Sequence, residues 1–188
     1  MEINELARKD TWAPQARDPS QRKAIPLLWV FKYKFDTDGY LEKFKARVCV
    51  RGDLQDTHQD TYAATLAYRT FRALMALAAA FDLEIAQLDA VNAFLNSPIN
   101  EETYVEYPEG FREPGKVLQL KKALYGLRQS PKLWYDHLTS TLKQLGLSLV
   151  PDASCLMTNE WLTALYYVDD ILFIYHARNA HLFKALLI

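Results

Sequence analysis

Apolar and polar residues alternate strictly in an early stretch of the chain. From Leu27 to Phe35, Trp29, Phe31, Tyr33 and Phe35 fall on one face and Lys32 and Lys34 on the other, which predicts a strand. Asp38-Gly39 supplies a hairpin turn, and the return strand is predicted from about Lys43 to Arg51, with Lys45 and Arg47 on one face. The period then changes. Phe71, Leu74, Met75, Ala78 and Phe81 recur at helical spacing, so Tyr68 to Phe81 reads as a helix. Leu83 to Leu88 reads as a short strand ending at Asp89, and Thr103 to Tyr107 and Val117 to Leu120 as two more around a Pro/Gly loop. Ser130-Pro131 opens a second helix whose apolar stripe is Trp134, Leu138, Leu142 and Leu145, with Gly146 as its C-terminal cap. Two apolar runs follow, Leu162 to Tyr167 and Ile171 to Tyr175, separated by Val168-Asp169-Asp170. Strands and helices mix without a regular βαβα alternation, so the expected class is α+β. Residues 1–25 are polar and mixed in charge, and are expected as a loose lead-in to a domain over 26–188.

Composition narrows the picture. Half of the chain is apolar and 13% aromatic, enough for a true core and unlike a disordered segment. The net charge is -1, so any surface for a polyanion must be local. The longest apolar run, Ala73 to Phe81, is too short to span a bilayer, and no basic-then-apolar leader opens the chain. Cys49 and Cys155 are expected as free thiols, and the expected compartment is intracellular, in the cytoplasm.

The chemistry concentrates in the carboxylates. Asp169 and Asp170 are adjacent like charges between two apolar strands, where their repulsion is costly. A plain hairpin turn is one reading, since Asp is a common turn residue. Against it, the tip lacks the Asn-Gly or Asp-Gly chemistry of a tight turn. A hard cation such as Mg²⁺ would relieve the repulsion, and it prefers carboxylate oxygens shared with substrate phosphates. Asp89, at the end of another predicted strand, makes a third acid if that strand neighbours the hairpin. Three acids could hold two metals for an in-line phosphoryl displacement. As an alternative, Asp89 would be a helix N-cap.

Basic residues cluster at Lys32, Lys34, Lys43, Lys45, Arg47 and Arg51, and again at Arg112, Lys116, Lys121, Lys122, Arg128 and Lys132. Tyr33, Tyr40, Phe44 and Tyr125 interleave with them, a pattern that suits contact with a phosphate backbone and bases. A solvated strand face is the plainer reading. Gly110 to Lys116 matches the first positions of a P-loop. Val117 replaces the required hydroxyl, and a strand pattern follows where a helix is needed, so that reading is rejected. The histidines, His58, His137, His176 and His181, have no cysteine partners at zinc spacing and are expected to be structural or surface residues.

Four segments in order resemble the copia-type retrotransposon reverse transcriptases, as a fungal-like variant. They are Lys45-Ala46-Arg47-Val48 with Arg51-Gly52, Gln87 to Leu95, Lys121 to Pro131, and Tyr166 to Leu172. The resemblance covers roughly residues 27 to 176. It departs at Ala90-Val91, where many relatives carry Val-Lys, and at Ser97, where many carry Gly. It implies an RNA-directed DNA polymerase with a right-hand fingers and partial palm arrangement, an antiparallel palm sheet packed on helices. By the same resemblance Asp89, Asp169 and Asp170 are the catalytic metal ligands for two Mg²⁺ ions, with Mn²⁺ as a substitute. Lys34, Lys45, Arg47, Phe94, Tyr125 and Gly126 are nucleotide-binding, Phe94 as the aromatic gate under the sugar. The implied partners are an RNA or DNA template with its primer and deoxynucleoside triphosphates. The implied setting is a virus-like particle if the chain is part of an active element. Thumb and RNase H regions are expected to be absent. Two alternatives stand beside this: an inactive or co-opted fragment that only binds nucleic acid, and another Mg²⁺-dependent phosphoryl-transfer enzyme.

Overall fold

The computed structural model describes residues 2–18, 20, 23–56 and 61–187, so His58 lies outside the described residues. In chain order the elements begin with helix α1 (Glu2–Arg8) and strands β1 (Trp12–Ala16), β2 (Leu27–Phe35) and β3 (Leu41–Val50). Helix α2 (Tyr68–Ala80), strand β4 (Leu83–Asp89) and strands β5 (Tyr104–Val105) and β6 (Lys116–Leu120) follow. Helix α3 (Ser130–Gln144), strands β7 (Ser148–Val150), β8 (Ala153–Thr158), β9 (Leu162–Tyr167) and β10 (Asp170–His176), and helix α4 (Ala180–Leu186) complete the series. The mixture of helices with antiparallel sheets is the α+β class that the pattern predicts. The chain divides into two compact units, Met1–Thr61 with Phe94–Leu133, and Tyr62–Ala93 with Trp134–Ile188.

In the first unit the alternating stretch forms a ribbon, β2 on β3, in register from Leu27↔Val50 to Phe35↔Leu41. Gly39, at φ +85°, closes the turn, and the Asp36 N–H donates to the Tyr40 carbonyl at 2.9 Å. The base of the ribbon is anchored, because Val48 and Val50 join a core with Leu6, Ile25, Leu95, Val105, Leu118, Leu120, Leu124 and Leu127. Its outer part is not, and Phe31 and Phe44 are each 72% exposed.

The expected loose lead-in is corrected by this unit. Leu6 of α1 is buried in the core, and β1 pairs with β6 from Trp12↔Leu120 to Ala16↔Lys116. A seven-residue helix with one buried residue leaves too short a period to read. Pro14 argues against a central strand, and β1 is an edge strand in the order β1-β6-β5. The strand predicted over Thr103 to Tyr107 is shorter, Tyr104–Val105.

The second unit holds a five-stranded antiparallel sheet in the order β4-β10-β9-β8-β7. Leu162, Ala164, Leu165, Ile171, Phe173 and Ile174 are buried on its central strands. From α3, Leu138 and Leu142 are buried, and the Tyr135 hydroxyl donates to the Ser154 carbonyl at 2.7 Å. Gly146 (φ +83°) and Leu147 donate back to the Lys143 and Leu142 carbonyls, the Schellman end that the glycine predicts. Leu145, expected on the apolar stripe, is exposed because the helix has already ended at Gln144. On α2 only Ala78 is fully buried, and Phe81 of the predicted stripe is exposed.

Candidate functional site

The carboxylates all lie in the second unit. Strand β10 is paired on both sides, with β9 and with β4, so its first residue meets two neighbours at once. Asp170 stands opposite Tyr167 on β9 and opposite Asp89 on β4. Directly opposed residues of antiparallel strands project from the same face, so two carboxylates share one sheet end, an arrangement that is destabilising unless something neutralises it. The Gln87 amide donates to Asp170 Oδ1 at 3.0 Å, a neutral contact that leaves the charge in place. Asp169 sits one residue earlier, in the turn, and its carbonyl accepts from the Ala90 N–H at 2.8 Å. The expectation that the Asp89 strand neighbours the hairpin is met, and Asp89 ends a strand rather than capping a helix.

The turn itself is tight and strained. Only Val168 and Asp169 separate the paired residues Tyr167 and Asp170, and Val168 has φ +54°. Positive φ at the first position and not at Asp169 marks a type II′ turn, where glycine is usual at that first position. A β-branched residue there stores roughly 1–3 kcal/mol, and such strain persists only where the surroundings enforce it. One enforcing contact is visible: the buried Trp134 indole donates to the Val168 carbonyl at 2.6 Å. Sequence reasoning missed this contact, because an apolar helix position is the only signal Trp134 offers.

The donor set suits a hard divalent cation. It consists of carboxylate oxygens at an exposed sheet end, two of them on directly opposed residues. Among the described residues, no three His, Cys, Asp or Glu side chains are gathered into a ready-made cage. Mg²⁺ does not require one, since it binds through one or two carboxylates and takes waters and substrate phosphates for the remainder.

The six nucleotide candidates all lie in the first unit. Arg47, Phe94 and Tyr125 are brought together: the guanidinium lies 5.0 Å from the Tyr125 ring centroid, and that ring meets Phe94 edge-on at 4.7 Å. Phe94 is buried under this contact. Lys45 is opposite Lys32, and Lys34 opposite Lys43, so four ammonium groups share the ribbon face that carries Arg47. Desolvation, with the Arg47 and Lys34 cations beside it, pushes the Lys45 ammonium below its ordinary range. Gly126 has a packing reason of its own. At φ +91°, a Cβ there would stand 2.1 Å from the Val50 carbonyl oxygen. Gly52 mirrors it, with a Cβ 1.9 Å from the Gly126 oxygen, so two backbone segments touch where no side chain fits.

The second basic cluster is largely spent within the chain. Lys121 pairs with Asp10 at 2.7 Å, Lys116 pairs with Glu113 at 2.7 Å, and Lys122 donates to the Lys9 carbonyl. Arg128 donates to the Gly52 carbonyl at 2.7 Å, while Gln55, buried and bonded to Gln129, accepts from the Arg128 N–H. Cys49 and Cys155 are both free, and burial pushes each thiol up. No helix among the described residues is long and apolar enough to cross a membrane. The rejected P-loop is followed by β6, a strand.

Known proteins match this chain over nearly its whole length. Residues 9–185 match the family described as reverse transcriptase (RNA-dependent DNA polymerase). The chain is 36% identical, over 83% of its length, to the retrovirus-related Pol polyprotein from transposon TNT 1-94 of Nicotiana tabacum. It is 33% identical over 91% of its length to the corresponding polyprotein from transposon RE1 of Arabidopsis thaliana. It is 33% identical over 96% of its length to the transposon Ty1-DR5 Gag-Pol polyprotein of Saccharomyces cerevisiae. It spans 13%, 12% and 10% of those three relatives, so it corresponds to one segment of each. The chain belongs to the reverse transcriptase (RNA-dependent DNA polymerase) family, in its copia- and Ty1-type retrotransposon branch.

Proposed function

We propose that this chain carries the polymerase chemistry of its family, template-directed addition of deoxynucleotides to a primer 3′-end. The observation that carries the reading is the pair of opposed carboxylates, Asp89 and Asp170, at a sheet end beside Asp169. In this reading the Tyr62–Ala93 and Trp134–Ile188 unit is palm, and the other is fingers.

Asp89, Asp169 and Asp170 would hold two divalent cations. When bound, these supply an activated 3′-hydroxyl and charge stabilisation on the transferring phosphoryl group. The chain's own residues do the rest. The opposed acids concentrate negative charge at a fixed sheet end, and the strained turn fixes where Asp169 stands. Lys34, Lys45 and Arg47 present cations for the triphosphate, with Lys45 and Arg47 nearest the anchored base of the ribbon. Arg47 is braced on the Tyr125 face, which orients its guanidinium for bidentate phosphate contact. Tyr125 in turn backs Phe94, so the aromatic gate under the sugar rests on a packed ring. Gly126 lets the Tyr125 segment lie against Val50, which sets that ring's height.

Primer extension on an RNA template, with wild type beside Asp169→Asn, tests the reading. Extension by wild type that is lost in Asp169→Asn and without divalent cation supports it; equal extension by both would sink it. A second reading, a fragment that only binds nucleic acid, draws on the cationic ribbon alone. Template binding that survives loss of all three acids, with no extension by wild type, would favour it.

A further inference from the structure

We propose that Trp134 is a positioning residue for Asp169, its indole N–H holding the Val168–Asp169 peptide in the orientation the strained turn requires. The inference rests on the metal reading of that turn. A peptide group is planar, so the Val168 carbonyl and the Asp169 N–H rotate as one body. The indole grips that body at the carbonyl, at 2.6 Å. Val168 at φ +54° would relax to negative φ if released, and the peptide would rotate with it, carrying Asp169 away from its neighbours. A buried indole needs an acceptor, and this one takes it from the turn rather than from its own helix.

The grip has a firm base. On α3, Tyr135 donates to the Ser154 carbonyl and Thr139 bonds the Tyr166 hydroxyl at 3.0 Å, so successive turns of the helix are tied to β8 and β9. Trp134 therefore reaches the turn from a helix fastened to the strand that enters it. The Trp134 ring also lies 6.2 Å from the His137 ring.

The test uses the full chain, ¹⁵N-labelled, with Mn²⁺ binding followed by electron paramagnetic resonance. Trp134→Phe keeps an aromatic ring, smaller than the indole, and removes the donor. It is expected to weaken Mn²⁺ binding about tenfold and to speed exchange of the Ala90 amide, which donates to the Asp169 carbonyl at 2.8 Å, by a similar factor, the loss of one buried hydrogen bond. Adding Val168→Asn, which tolerates positive φ, should recover most of both losses. Wild-type Mn²⁺ affinity in Trp134→Phe, with binding still abolished by Asp169→Asn, overturns the inference and leaves the metal reading intact. If folded wild type binds no Mn²⁺, the metal reading fails, and unchanged Ala90 amide exchange in Trp134→Phe overturns the inference as well. Should Trp134→Phe not fold, the wild-type indole decides. Exchange of the Trp134 N–H far slower than that of Trp161 supports the grip, and equal rates overturn it.

Discussion

Two antiparallel pairings in this chain set like charges face to face, and they are built in opposite ways. At the β4–β10 end, Asp89 opposes Asp170 on a strand paired on both sides and backed by buried Ile171 and Phe173. On the β2–β3 ribbon, Lys32 opposes Lys45 and Lys34 opposes Lys43, with exposed aromatic rings on the reverse face. The acids are held by a sheet core and a strained turn, so they keep their separation whether or not a cation is present. The lysines stand on a two-stranded ribbon anchored only at its base, so they can adapt to a polyanion. Rigid acids suit a small ion with strict geometry, and compliant cations suit phosphates of variable position.

The largest effect expected separates the two directly. Asp170→Asn should lower primer extension by roughly 10³-fold, since several kcal/mol of charge stabilisation pass through the bound metal. The same change removes the Asp89–Asp170 repulsion and should raise the thermal midpoint of the metal-free protein. A drop in both would break the assignment of that pair as a strained anion site.

Gly126→Ala comes next. It forces a Cβ against the Val50 carbonyl at φ +91°, and should cost about 3 kcal/mol or more in urea unfolding. Gly115→Ala, at φ +72° with open space around it, is the control and should cost only about 1–2 kcal/mol. Equal losses would mean that the close approach of the two backbones is not what requires glycine at 126.

On the ribbon, Lys45→Met should weaken binding of a single-stranded oligonucleotide by about tenfold and lower the salt slope by about one. A binding constant insensitive to both would make the ribbon a solvated face. The smallest effect is on stability and pH. The Lys45 ammonium sits below its ordinary value, so its protonated form destabilises the fold below the folded-state pKa. Above that point the folded chain has released a proton that the unfolded chain still holds, and stability rises with pH toward the ordinary lysine range. Thermal midpoints of wild type and Lys45→Met should therefore differ more at about pH 7 than at about pH 10.

Much of this was legible in the amino-acid order because it depends on local period. Alternation over Leu27 to Phe35 marked β2, helical spacing with Ser130-Pro131 and Gly146 marked α3, and the two apolar runs around Asp169 marked β9 and β10. The elements missed, α1, β1, β7, β8 and α4, are between three and seven residues long. Their patterns carry too little period to be read alone, and partners far along the chain decide them, as Leu120 and Lys116 do for Trp12 and Ala16 of β1.

The sequence by itself determined the family and the class of fold, and it singled out Asp89, Asp169 and Asp170 as candidate metal ligands, since motif order and residue chemistry survive without coordinates. Only the tertiary structure decided that Asp89 lies opposite Asp170, because strand pairing is a long-range choice that no local pattern encodes. It also decided that the second basic cluster is consumed by Asp10, Glu113 and backbone carbonyls, and that Gly126 meets Val50. The valine in the turn before Asp169 shows the division most clearly. Its sequence argues against a tight turn, yet a tight turn forms, because paired strands and one indole donor outweigh the strain at a single residue.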